Sequence, residues 1–194
     1  GGWKNYQACA SYDREEWFRV PTTFRNGILT IDFEPEHNSV YFAYFAPYSY
    51  ERHLDLIHET QLFDNVSMEV VGQTFEGRDI EMLRVGKPGK NKKVIWVIAR
   101  QHPGESMAEW FIEGMLSRLL DEDDPVSRTL LKEAVFYVVP NMNIDGSIAG
   151  NLRSSASGAN LNREWQRPTK KYSPEVFYVR NKMDETGMNL ILDV

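Results

Sequence analysis

Cysteine is nearly absent: Cys9 stands alone in 194 residues. An internal disulfide is excluded, and so is a zinc site built on cysteine thiolates. Basic charge is also short, with 22 Lys and Arg against 28 Asp and Glu and a formal net charge of −6. No excess exists to neutralise phosphates, so nucleic acid is not expected as a partner. The longest apolar runs, Val94–Ala99 and Ala134–Pro140, fall far short of a bilayer span, and no membrane partner is expected. No segment near the start joins basic residues to an apolar core, so no signal peptide is expected. A lone cysteine is compatible with a reducing compartment, and the cytoplasm is the expected location. Oligomeric state is left open.

What is present is ordinary for a globular chain. It is 42% hydrophobic, 12% aromatic and 26% charged, which excludes disorder, collagen and coiled coil. The length suits one large domain, or a small one plus part of another. The chain opens Gly1-Gly2-Trp3 without Met and ends on Leu190–Val194, which reads as a buried strand with nothing after it. A longer parent chain is therefore expected, the alternative being an edge strand that happens to come last.

The first part reads as β-rich. Trp17–Val20 is a short apolar run; Leu29, Ile31 and Phe33 alternate with polar residues; Glu34–Asn38 breaks the pattern, and Val40–Ala46 resumes it. Alternation on both sides of a polar break predicts a hairpin. After Pro47, Ser49 is a candidate N-cap for a helix carrying Tyr50, Leu54 and Ile57 at helical spacing. His53 and His58 fall on that helix among charges, and both are expected to face solvent. A second hairpin is predicted from Met68–Val71, through the turn Phe75–Asp79, into Ile80–Val85.

The pattern then changes. Val94–Ala99 is unbroken apolar, as in a strand covered on both faces. Ser106–Leu120 reads as a helix packing through Met107, Trp110, Phe111, Met115 and Leu119. Asp124-Pro125 is an N-cap followed by a first-turn proline, opening a short helix to Glu133. Ala134–Val139 is a second buried strand. Asn141–Tyr172 is a long polar stretch without periodicity, the kind of loop that is usually functional. Ser173-Pro174-Glu175 opens a last helix through Met183. Buried strands alternating with helices predict an α/β sheet. The expected domains are a β-rich residues 1–46 and an α/β residues 47–194.

Two clusters carry chemistry. The Val94–Ala99 strand ends in Arg100-Gln101-His102-Pro103-Gly104-Glu105-Ser106. Ligands in open α/β sheets bind at the carboxyl ends of strands. A Pro-Gly turn there can aim His102 and Glu105 at one point, and imidazole with carboxylate suits zinc. Chance alone gives about a third of one His-x-x-Glu match in such a composition, so placement and not spacing carries the argument. The competing reading is a helix start whose dipole favours Glu105. The second cluster, Asn141–Trp165, holds Arg153 and Arg163 among several amides. It suits an anionic ligand, because guanidinium matches carboxylate in a two-bond fork. The alternative is a solvated loop whose arginines pair with acidic neighbours.

Four motifs in order resemble those of the zinc metallocarboxypeptidases of the funnelin fold, especially the cytosolic-carboxypeptidase branch with its bacterial members. They are Thr74–Arg78, His102-Pro103-Gly104-Glu105, Asn143-Ile144-Asp145-Gly146 through Arg153, and Leu161-Asn162-Arg163-Glu164-Trp165. Pro47-Tyr48-Ser49-Tyr50 resembles that branch's junction between N-terminal β-domain and catalytic domain. The resemblance implies an incomplete enzyme: a β-rich N-terminal domain, then the first half of a mixed-sheet α/β catalytic domain. It implies zinc on His102 and Glu105, an oxyanion contact from Arg153, and a clamp of Asn162 and Arg163 on the carboxylate of a peptide or protein tail. Two departures stand out. The implied second His ligand, expected after a strand like Leu190–Val194, and the general-base Glu are not among these residues. Asn160 stands where the family usually has an Asp that orients the first zinc histidine. A zinc amide hydrolase acting on small N-acyl amino acids, and an inactive tail-binding module, are the competing readings.

Overall fold

The computed structural model describes residues 2–194 and contains two compact units, one reaching Pro47 and one spanning Tyr48–Val194. The first unit is antiparallel β throughout. Strands β1 (Cys9–Ser11), β2 (Phe18–Arg19) and β5 (Tyr41–Ala43) form a sheet in the order β2-β1-β5, and β3 (Thr22–Arg25) pairs with β4 (Ile28–Ile31). Its small core is Ala8, Ala10 and Val20, with Trp3, Ile31, Phe33 and Val40 packed against them.

The hairpin expected between Leu29–Phe33 and Val40–Ala46 does not form. Residues 28–31 turn back the other way through Asn26-Gly27, while Tyr41–Ala43 pairs with β1. Asn26 and Gly27 have φ of 51° and 79°. An Asn-Gly pair suits the left-handed backbone of a two-residue hairpin, so this local signal outweighs the longer polar break.

The second unit is built on a five-stranded mixed sheet. Its strands are β6 (Val66–Gln73), β7 (Asp79–Val85), β8 (Lys93–Ile98), β9 (Ala134–Val139) and β10 (Leu190–Asp193), in the order β10-β8-β9-β7-β6. β10, β8 and β9 run parallel; β7 and β6 are antiparallel additions. Helices cover both faces: α1 (Tyr50–Thr60), α2 (Met107–Leu119), α3 (Pro125–Glu133), α4 (Ile144–Ala149) and α5 (Pro174–Thr186). Successive strand residues point to opposite faces, so Val97 and Ala99 pack with Ile112 and Leu116, while Trp96 and Ile98 pack with Val176 and Val179. Each of the valine, isoleucine and leucine side chains among these contributes about 1.5–3 kcal/mol on full burial. This explains why β8 and β9 read as continuous apolar runs. Ser49 and Asp124 cap α1 and α3 as their sequence suggests, accepting from the amides of Arg52 and Val126.

Four expectations need correction. α2 presents Ala108, Ile112, Leu116 and Leu119 to the core, whereas Met107 and Phe111 are exposed. His53 is buried at 1% exposure, although His58 does face solvent. The long polar stretch contains α4 and a 3-10 turn at Leu161–Arg163. Among the described residues β10 pairs with β8 alone, and Leu190 and Leu192 are 49% and 40% exposed, not covered as the apolar run predicts.

Candidate active site

The loop 100–106 leaves the carboxyl end of β8 and enters α2. It holds its shape by local backbone bonds, with Glu105 N donating to His102 O at 3.0 Å and Gly104 N to Leu152 O at 3.1 Å. The second of these ties the loop to the residue before Arg153. Close approach from α4 fixes the other side. A Cβ on Gly146 would lie 2.6 Å from Pro103 Cγ and 2.8 Å from Ser154 O, so only glycine lets α4 pack there without displacement. Asn143 caps α4 and donates from Nδ2 to Gln101 O at 2.9 Å.

His102 and Glu105 converge. The His102 Nδ1 atom lies 3.0 Å from Glu105 Oε2, with His102 nearly buried and Glu105 half-exposed. On the other ring nitrogen, Nε2 is 3.1 Å from Asn160 Oδ1 and 3.1 Å from Arg153 Nη2. Guanidinium only donates, so Nε2 cannot serve both neighbours in one tautomer. With the proton on Nδ1, the ring shares it with Glu105 and accepts from Arg153. With the proton on Nε2, the ring donates to Asn160, and the Nδ1 lone pair then faces the Glu105 carboxylate. That second arrangement is electron-rich at one point and calls for a cation between the two groups.

The donor set therefore fits zinc in kind and falls short in number. His102 and Glu105 are two donors, and a catalytic zinc normally takes three protein ligands. No group of three His, Cys, Asp or Glu able to hold a metal occurs among the described residues. Arg153 is exposed at the same rim, with Nη1 4.0 Å from Glu105 Oε1, so it pairs loosely with an acidic neighbour as the solvated-loop alternative requires. Asn162 and Arg163 lie in the 3-10 turn between two anchors. Asn160 meets His102, and Trp165 Nε1 donates to Gln101 Oε1 at 2.8 Å. Both clamp candidates are exposed, and Arg163 Nη1 donates to Asn162 O at 3.0 Å.

Thr74–Arg78 has a structural task. Buried Asp145 of α4 accepts from Thr74 Oγ1 at 2.9 Å, Glu76 N at 2.8 Å and Arg78 Nη1 at 2.6 Å. The β6–β7 turn is thus bolted to the helix whose Gly146 contacts Pro103. Glu175, at the start of α5, accepts from Phe75 N at 3.3 Å. Its Oε2 is buried without a partner, and burial pushes its pKa up.

Beneath the loop lies a charged network that sequence reading missed. Arg100 has φ of 54°, a left-handed conformation costing a non-glycine residue about 1–2 kcal/mol. Its guanidinium is buried, donating from Nε to Pro103 O at 2.9 Å, from Nη1 to Tyr48 O at 3.0 Å, and to Glu109 Oε2. Glu109 is fully buried and also meets Asn141 Nδ2 at 3.0 Å and His53 Nδ1 at 2.8 Å. His53 Nε2 faces Glu81 Oε2 at 3.5 Å. Burial disfavours the imidazolium, but hydrogen bonds to Glu109 and Glu81 outweigh it, and the His53 pKa is pushed up to about 9. The signals were present: Glu109 and His53 each sit in a buried helical stripe, Glu109 with Ile112 and Leu116, His53 with Ile57 and Thr60.

A zinc carboxypeptidase family model matches residues 51–186, and a cytosolic carboxypeptidase N-terminal domain model matches residues 1–45. The chain belongs to the zinc carboxypeptidase family. An uncharacterized protein of Zymomonas mobilis is 51% identical over 193 residues, covering 100% of this chain and 50% of that protein. Mouse cytosolic carboxypeptidase 6 is 31% identical over 174 residues, 84% of this chain and 32% of that protein. Among solved structures, the metallo-carboxypeptidase from Pseudomonas aeruginosa in complex with (2-guanidinoethylmercapto)succinic acid superposes with a TM-score of 0.93. It is 48% identical, covering 99% of this chain and 51% of that one. This chain thus spans about half or less of the length of these relatives.

Proposed function

We propose that this chain carries part of the active site of a zinc-dependent carboxypeptidase that removes C-terminal residues from peptides or protein tails. The observation that carries the reading is the meeting of His102 Nδ1 and Glu105 Oε2 at 3.0 Å, with Arg153 on the same rim. In this reading His102 and Glu105 hold zinc, and the third ligand and the general-base Glu come from chain outside these 194 residues. Zinc bound there supplies a Lewis acid and a water acidified to a pKa of about 7.

The other roles belong to residues of this chain. Asn160 holds His102 in the tautomer that presents Nδ1. Arg153, released from the His102 ring, places a guanidinium where negative charge develops on the scissile carbonyl oxygen, the position at which a fixed donor is worth most. Asn162 and Arg163 receive the terminal carboxylate. An internal peptide segment would leave such a clamp unpaired and is rejected for that reason. The ligand of the Pseudomonas aeruginosa neighbour is a succinic acid derivative, and its two carboxylates are the chemistry that Arg153 and Arg163 would meet here. Residues 1–46 serve as the N-terminal domain and 47–194 as the start of the catalytic domain. The cytoplasm is the proposed location. No described helix is long and apolar enough to cross a membrane.

The test is kcat/KM of the full-length protein, with zinc, on one peptide in its free-acid and C-terminally amidated forms. The acid form should be cleaved from its end and the amide form hardly at all. Equal turnover of both would replace this reading with an endopeptidase or another amide hydrolase.

A further inference from the structure

Arg100 occupies a backbone position that favours glycine. Its φ of 54° lies in the left-handed region, and it is a long side chain buried at 6% exposure. A strained backbone carrying a buried charge persists only where the side chain does something that glycine cannot. Two of its three nitrogens have defined targets. Nε reaches the Pro103 carbonyl at 2.9 Å, inside the His-Pro-Gly-Glu turn, and Nη1 reaches the Tyr48 carbonyl at 3.0 Å and the Glu109 carboxylate. Glu109 sits on α2, the helix that the turn leads into, and is held in turn by Asn141 and His53.

We propose that Arg100 is a positioning residue for the candidate zinc loop, setting His102 and Glu105 through the Pro103 carbonyl, with Glu109 as the buried counter-charge that aims the guanidinium. The idea rests on the zinc reading above for its consequence, but not for its geometry. Arg100 Nε holds the carbonyl of Pro103, between the two ligand candidates, from below. The amide of Gly104, one residue on, is held by Leu152 O. The turn is gripped from two sides, and its two candidate ligands meet at 3.0 Å. Loss of the lower grip should let the turn pivot without unfolding the sheet, because β8 is paired on both sides by β9 and β10.

The experiment uses the full-length protein with Arg100→Gly, Arg100→Lys and the double variant Arg100→Gly/Glu109→Gln. The glycine accepts the left-handed backbone, and the double variant also neutralises the carboxylate that has lost its arginine while keeping Asn141 and His53 beside it, so two routes to a folded sample are tried. Two readouts are taken. Amide hydrogen exchange on metal-free protein compares Gly104 and Glu105 with Val138 in β9. Zinc affinity is measured by competition with a chromophoric chelator. Exchange at Gly104 and Glu105 should accelerate at least about tenfold while Val138 is unchanged, and zinc should weaken about 10–100-fold, the usual effect of losing a ligand's supporting contact. Lysine, which keeps the charge without the fork, should fall between wild type and glycine. Unchanged loop exchange in folded Arg100→Gly overturns the proposal, as does acceleration no greater than that of Val138. A wild type that takes up no zinc removes the zinc reading alone; loop exchange still decides whether Arg100 positions the turn.

Discussion

Asn160 Oδ1 lies 3.1 Å from His102 Nε2 while the other ring nitrogen faces Glu105 at 3.0 Å. A neutral amide there fixes the ring but adds no negative charge to it. An imidazole backed by carboxylate is the more basic ligand. Asn160→Asp in the full-length protein should therefore tighten zinc binding, and Asn160→Leu should weaken it about 10–100-fold. Competition with a chromophoric chelator at fixed pH measures both. If the leucine variant binds zinc as well as wild type, Asn160 does not orient His102.

His53 gives a pH dependence with a definite sign. Its pKa is raised in the fold to about 9 by Glu109 and Glu81, against an ordinary histidine value of about 6.5. The stabilisation is fully present below pH 6.5, where folded and unfolded chains both carry the proton. It is lost as pH rises from there through about 9, because the folded state then holds a proton that the unfolded state has released. At about 1.4 kcal/mol per unit, the whole effect is on the order of 3 kcal/mol. Urea midpoints between pH 6 and pH 9.5 should fall accordingly in wild type and stay flat in His53→Gln across the same window. Parallel profiles for the two proteins would show that the fold does not raise the His53 pKa.

How much of this was legible in sequence depended on range. The strands β8 and β9, the caps Ser49 and Asp124 and the β6–β7 hairpin were readable because their signals are local: unbroken apolar runs, a capping side chain, a turn. The meeting of His102 and Glu105 was readable for the same reason, with three residues and a Pro-Gly turn between them. The pairing of β5 with β1 was not, since Tyr41–Ala43 meets Cys9–Ser11 across some thirty residues. Asn26-Gly27 was a local signal passed over in favour of a more conspicuous polar break. The Arg100–Glu109–His53 network joins three separate elements; His53 read as solvent-facing, and the pairing of Arg100 with Glu109 carried no signal until the fold brought them under one loop. β10 read as buried because its residues are apolar, and among the described residues it has one neighbour, β8.

Gly146 tests the packing of α4 under the loop. An added Cβ would meet Asn143 Oδ1 at 2.5 Å, Pro103 Cγ at 2.6 Å and Ser154 O at 2.8 Å. Two of these belong to a cap and a backbone that have no room to yield. Gly146→Ala should destabilise by about 1–3 kcal/mol, the usual range for overpacking, and should shift Pro103 with its neighbours His102 and Glu105. Gly114→Ala is the control, since a Cβ there meets nothing within 4 Å and helix propensity favours alanine. Equal stability of the two variants by urea denaturation would contradict the close packing.

Arg163 tests the carboxylate clamp. It is exposed, with Nη1 turned onto the Asn162 carbonyl, and the segment that carries it is anchored by Asn160 at His102 and by Trp165 at Gln101. Engaging a substrate carboxylate thus requires exchange of a weak backbone contact for a charged two-bond fork. Truncating one partner of a hydrogen-bonded charge pair costs about 2–5 kcal/mol once the pair is desolvated. Arg163→Ala in the full-length enzyme should lower kcat/KM on a free-acid peptide roughly 30-fold to several-thousand-fold. Arg163→Lys should recover only part of this, because a point charge cannot form the fork. The amidated peptide, already poor for wild type, should lose far less, so the acid-to-amide preference should collapse in Arg163→Ala. A preference that survives the substitution would place the clamp on another residue, with Arg153 the next to test.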